Sequence, residues 1–231
     1  MPAMRIEFSN VEVTREGRSL LRALDLVLEE RRLAVIGANG SGKTTFARLL
    51  NALVLPSSGS LRVDGLDTRR AAREVRQRVG MVFQFPEAQI IQPIVVEDVA
   101  FGLELRGVAS DEARRHALAL LEQLGLEALA ERPAHSLSGG ERQLVALAAV
   151  LITEPELIVF DEPTNQLDLA NRNALRARLA ALEAQVLVVT HDLDFVADFD
   201  RALLLEAGRV AFDGPPRDAA ARYVTAVSAV G

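Results

Sequence analysis

Apolar and polar residues alternate from the start of the chain, at Ile6 and Phe8 and at Val11 and Val13, then after a turn at Glu16-Gly17-Arg18 again at Leu24, Leu26 and Leu28. Period two predicts half-buried strands. The run Leu33-Ala34-Val35-Ile36 predicts a buried strand, and Phe46, Leu49, Leu50 and Leu53 then follow at helical spacing. Between them lie Gly37, Gly40 and Gly42, so strand, glycine loop and helix form one unit. Pro56 to Gly59 reads as a turn, Leu61 to Val63 as a short strand and Val79 to Gln84 as another. From Val96 to about Arg132 the period is helical, with Ser110 as N-cap, Ala117, Leu118, Leu121 and Leu124 as one apolar face, and Gly125 as its stop. A further helix is predicted from Gly140 to Ile152. Buried strands follow at Leu157 to Phe160, Val186 to Thr190 and Ala202 to Leu205, with helices after Asp168 and Asp192. Near-continuous apolar strands alternating with helices predict an α/β fold with a parallel sheet covered on both faces.

Composition narrows the chemistry more than the fold. The 231 residues, 49% hydrophobic and 25% charged, suit a single compact domain, and the absence of cysteine removes disulfides, thiolate metal sites and cysteine nucleophiles together. A formal charge of −6 and 4% aromatic residues argue against a dedicated nucleic-acid partner. The longest purely apolar run, Leu144 to Ile152, is too short to span a bilayer. The opening MPAMRIEFSN lacks the apolar core of a signal peptide, so a cytoplasmic address is expected.

The segment GANGSGKT, Gly37-Ala38-Asn39-Gly40-Ser41-Gly42-Lys43-Thr44, followed by Thr45, fits a phosphate-binding loop at every fixed position. Its glycines let backbone N–H groups turn toward a polyphosphate at a helix N-terminus, within reach of Lys43, while the Thr44 hydroxyl is suited to Mg²⁺. Downstream, LIVFDE ends a buried strand on two carboxylates: Asp161 is placed to hold Mg²⁺ and Glu162 to activate a water. Between the two motifs, SLSGGERQ opens a helix at Ser138-Gly139-Gly140, a second anion site. One nucleotide does not need two cradles from one chain, so the economical arrangement is a dimer in which this loop closes on the ATP of a partner.

The order GANGSGKT, Gln84, LSGGERQ, LIVFDEPT, Leu167-Asp168 and His191 resembles the nucleotide-binding ATPases of ABC transporters over nearly the whole chain. The resemblance implies a P-loop NTPase of the ABC type: a mostly parallel sheet flanked by helices, an N-terminal antiparallel β part (about 1–32) and an inserted helical subdomain (about 85–155) within one domain, 1–231. It implies an ATPase using ATP and Mg²⁺, with Glu162, His191 and Gln84 as catalytic residues, Thr44, Gln84 and Asp161 around the metal, Ser138, Gly139, Gly140 and Glu141 as the signature serving the partner's site, and Asp168 in the loop at the dimer contact. His116 and His135 are expected to be ordinary surface residues. A narrower likeness, in VGMVFQFPEAQIIQPIVVEDVAFGLE, is to the ATPases of energy-coupling factor importers, which take up vitamins or cobalt and nickel ions. The short C-terminal part is more similar to the biotin-importer ATPases than to their cobalt relatives.

That family implies a second ATPase subunit, identical or homologous, a transmembrane coupling subunit and a membrane substrate-binding subunit, all at the cytoplasmic face. It implies no nucleic acid and no contact between this chain and the cargo. A soluble translation or assembly ATPase is the rival, since DEPTNQLD also resembles the translation-factor branch. Where relatives stack adenine on an aromatic ring, alignment suggests Arg15 or Thr14. Arg69, Arg73 and Arg76 are expected on one helix face, either simply solvated or facing acidic lipid or a partner.

Overall fold

The computed structural model describes residues 3–165 and 167–228, in two sheets and seven α-helices among those residues. The first sheet holds β1 (Ile6–Arg15), β2 (Arg18–Leu28), β4 (Ser58–Val63) and β5 (Leu66–Asp67) in the order β2-β1-β4-β5, with every pair antiparallel. The second holds β3 (Arg32–Ile36), β6 (Val79–Val82), β7 (Leu157–Asp161), β8 (Gln185–Thr190), β9 (Arg201–Glu206) and β10 (Arg209–Gly214) in the order β10-β9-β3-β8-β7-β6. Its pairs are parallel except the hairpin β9-β10.

Alternation along the parallel strands sorts side chains between two cores. Leu33, Val35, Leu157, Val159, Leu187 and Val189 face the first sheet and helix α1 (Lys43–Leu50). There Phe8 of β1 stacks on Phe46 of α1, with ring centroids 5.1 Å apart. Ala34, Ile36, Ile158, Phe160, Val186 and Val188 face the opposite way, toward helices α5 (Gly139–Leu151), α6 (Leu169–Ala181) and α7 (Pro216–Ser228). Strands buried on both faces are why this part of the sequence reads as unbroken apolar runs.

Helices α3 (Val95–Glu104) and α4 (Ser110–Gln123) build a third core with the outer face of α5, from Val96, Val99, Ala117, Leu121, Val145 and Ile152 among others. Arg106 ties this helical body to the short helix that precedes β6, its guanidinium donating to Thr153 O, just beyond α5, at 2.8 Å and to Gln77 O at 2.9 Å.

Three local expectations are corrected. Ser110 is the first residue of α4 and Ala109 the N-cap. After Asp192 there is no helix: the chain makes successive turns, with Asp192 accepting from Phe195 N and Val196 O from Phe199 N. Arg69 lies ahead of the short helix α2 (Ala72–Arg78), and its guanidinium binds Pro56 O and Gly59 O, so it shares no helix face with Arg73 and Arg76. Unfilled carbonyls of a turn outcompete solvent for that guanidinium.

Candidate nucleotide site

β3 carries the glycine loop at its carboxyl end, where parallel sheets place ligands. Gly37 has φ +150°, and a Cβ there would lie 2.3 Å from Leu205 O, so only glycine lets the loop pass β9. Lys43 starts α1 and is buried; its Nζ donates to Gly37 O at 2.8 Å and Ala38 O at 3.1 Å. It also pairs with Glu162 at 3.4 Å.

β7 delivers the acids. Asp161 closes the strand and accepts from Thr44 Oγ1 at 3.1 Å. Burial pushes the Asp161 carboxyl above its ordinary value, against the pull of the Thr44 hydrogen bond. Glu162 turns out of the strand at φ +51°, an uncommon left-handed conformation for a non-glycine residue and a mark of stored strain. Its Oε2 accepts from the His191 ring at 2.8 Å and from His191 N at 3.2 Å, so the donating imidazole tautomer carries its proton on Nδ1.

Lys43, Thr44, Glu162 and His191 border a cleft of about 290 Å³ whose walls also include Asn39, Gly40, Gly42, Thr45 and Gln84; Gly37, Ala38, Ser41 and Asp161 do not line it, Asp161 reaching its edge through the Thr44 hydroxyl. A larger hollow of about 650 Å³ adjoins the same loop against Tyr223, Ala226 and Val227. It holds none of Lys43, Glu162 or His191, so the smaller cleft is the candidate site. Around it the carboxylates of Asp161 and Glu162 face the buried Lys43 ammonium, and the Arg48 guanidinium acts on Asp161 as well, so the buried charges are nearly balanced. The Thr44 hydroxyl and Asp161 carboxylate are hard oxygen donors that fit Mg²⁺. No cluster of three or more His, Asp or Glu among the described residues could hold a metal alone.

Ser138 to Glu141 do not line this cleft, nor does Asp168. Ser138 caps α5: its Oγ accepts from Glu141 N at 3.3 Å while Glu141 accepts from Ser138 N at 2.7 Å. The Ser138 bonds, and then Arg132, hold the Glu141 carboxyl below its ordinary value. Asp168 caps α6, accepting from Asn171 N at 2.8 Å. The two helix starts touch, for a Cβ on Gly140 would meet the Asn171 side chain at 2.7 Å.

His116 and His135 are exposed. Arg15 and Thr14, the residues expected beside adenine, are exposed at the end of β1 and do not line the cleft. Leu20 of β2 does, as does Asn165; the sequence reading missed both. The period-two pattern around Leu20 marked a strand, but nothing local linked that strand to the glycine loop.

The ABC transporter family model matches residues 22–165, and the chain belongs to that family of ATPases. It is 49% identical to a Deinococcus radiodurans protein named as an ABC transporter ATP-binding protein, over 94% of this chain and 96% of that one. It is 47% identical to the biotin transport ATP-binding protein BioM of Rhizobium etli, over 95% of this chain and 98% of the relative. Among solved structures, cbiO1 of Clostridium perfringens, part of the ABC transporter complex cbiONQ, superposes with a TM-score of 0.83 at 28% identity, covering 98% of this chain and 94% of that one. The dimeric bacterial ABC transporter cassette MJ0796 superposes with a TM-score of 0.80 at 28% identity, over 92% and 99% of the two chains.

Proposed function

We propose that this chain is the ATP-binding and ATP-hydrolysing subunit of an energy-coupling factor importer for biotin, working at the cytoplasmic face of the membrane beside a coupling subunit and a substrate-binding subunit. The observation that carries the cargo is the 47% identity to BioM across almost the full length of both chains. Among the described residues no helix is long and apolar enough to cross a membrane, which fits a peripheral subunit.

In this reading the site is composite. One chain supplies Gly37 to Thr45, Gln84, Asp161, Glu162 and His191, and a second supplies Ser138 to Gly140, with Asp168 at the contact; a dimeric cassette among the structural neighbours supports it. ATP phosphates enter against the loop amides, and Lys43 turns from the Gly37 and Ala38 carbonyls and from Glu162 to the phosphate oxygens. Glu162 Oε1 is thereby released while Oε2 stays on His191. A water beside Oε1 gives up its proton to the carboxylate as its oxygen attacks the γ-phosphorus, and the bridging oxygen departs on ADP with the bonding pair. Thr44, Asp161 and Gln84 would hold Mg²⁺, which would supply neutralisation of the phosphate charge. Loss of the γ-phosphate separates the two chains, and the helical body (about 85–155) carries the movement outward from Gln84.

Labelled biotin uptake in cells expressing this chain with its membrane-bound co-purifying subunits tests the reading. Uptake that depends on Lys43 is expected. Uptake of cobalt or nickel in place of biotin overturns the cargo, and recovery of ribosomal components in place of membrane subunits overturns the importer.

A further inference from the structure

We infer that Arg132 is the positioning residue of the signature loop, and that it acts on the nucleotide held by the other chain; this rests on the composite site proposed above. Its guanidinium donates through Nη1 to Glu141 Oε1 at 2.8 Å and through Nη2 to Ser136 O at 2.9 Å. The second oxygen of Glu141 accepts from Ser138 N at 2.7 Å, so the fork grips both ends of the segment that presents Ser138. Its main chain is fixed from the other side: Arg132 O accepts from Val95 N at 3.2 Å, and Pro93 O accepts from Ala134 N at 2.8 Å. These are the residues that lead from the Gln84 loop into α3. Arg132 therefore joins the segment after Gln84 to the start of α5.

Stability does not account for this arrangement. The Arg132 and Glu141 side chains are 39% and 31% exposed, and pairs this open to water add little to folding. What the fork supplies is direction: a planar guanidinium can satisfy a carboxylate and a carbonyl at once, whereas a lysine ammonium holds one geometry poorly. Without it Glu141 can still cap Ser138, but the capped turn is free to tilt about the start of α5. The nucleotide cleft of the same chain contains neither residue, so the tilt leaves that chain's own ATP contacts intact.

The test uses full-length chains carrying two different tags, purified as defined heterodimers. An R132A chain paired with an E162Q chain keeps one intact site, made of the R132A chain's cleft and its partner's signature loop; about half of the wild-type ATPase rate is expected. Wild type paired with an R132A/E162Q double variant has both sites impaired, and a rate lower by about tenfold is expected. ATP binding to the single R132A chain should stay within about twofold of wild type, and R132K should fall between R132A and wild type. The reverse ranking of the two heterodimers, or R132A equal to wild type, overturns the inference. S138A in place of R132A is the control. If S138A itself shows the reverse ranking, the composite site is wrong; if S138A ranks as described and R132A does not, only the role of Arg132 falls.

Discussion

Before substrate arrives, both carboxylate oxygens of Glu162 are engaged, one by Lys43 and the other by His191. On the proposed reading of Glu162 as base, the Lys43 contact that quiets it is the one an incoming phosphate breaks. Glu162→Gln is expected to leave ATP binding within a few-fold of wild type while lowering turnover by about 10²–10⁴, measured as phosphate release beside nucleotide affinity; unaltered turnover would remove Glu162 as base. The described walls of the cleft include the aliphatic Leu20 but no Phe, Tyr or Trp on which a base could stack, and apolar contact of this kind serves any purine. ATP is expected to be preferred over GTP by less than about 100-fold, roughly 2.7 kcal/mol, in competition binding. Asp98 is buried and accepts from Ile91 N and Gln92 N, yet burial holds its carboxyl above the ordinary value. A raised folded value means that the wild type loses stability as pH rises from about 4 through that value. The stability of Asp98→Asn relative to wild type, from denaturant unfolding, should therefore improve between acid and neutral pH.

Among the elements, the α5 and α6 starts behave as one piece, because Gly140 leaves no room beyond the Asn171 side chain. Gly140→Ala should lower ATPase turnover by about tenfold or more, and adding Asn171→Ala should restore part of it, a coupling readable in a double-mutant cycle. The elements legible in the sequence were those with period two (β1, β2), an unbroken apolar run (β3, β7, β8, β9) or helical spacing (α1, α4, α5, α6), with β4 and β6 legible as short strands between turns. β10 and α7 were not read, because β10 alternates weakly at an edge and α7 is alanine-rich, with much of its surface exposed. Leu193, Val196 and Phe199 mimic a helical face after Asp192, but there turns suffice to bury them against the second core. The arginines of 69–78 look like a charged face in sequence, but in the fold Arg69, Arg76 and Arg78 serve as ties, Arg76 donating to Ala52 O and Arg78 bridging Asp64 and Glu156. Which carbonyl or carboxylate stands opposite each one depends on tertiary contacts that no local spacing reports.

At the scale of the molecule, most of the cleft's walls fall in sequence motifs; Leu20 comes from a strand whose nearness is set only by topology, whereas Asn165 sits in the turn after Glu162, its N–H donating to Glu162 O at 3.2 Å. The topology also sets an order of assembly. β3, which carries the glycine loop, has no neighbour close in sequence: Arg32 pairs with Val186 and Leu33 with Arg201. A ribosome adding about 5–20 residues per second leaves on the order of 10–30 s between the emergence of β3 and that of β9. During that interval β3 lacks both of its strand neighbours, and the glycine loop can lean on the earlier β1–β2 part alone, where Phe8 meets Phe46. The segment translated among the earliest therefore gains its full strand support among the last.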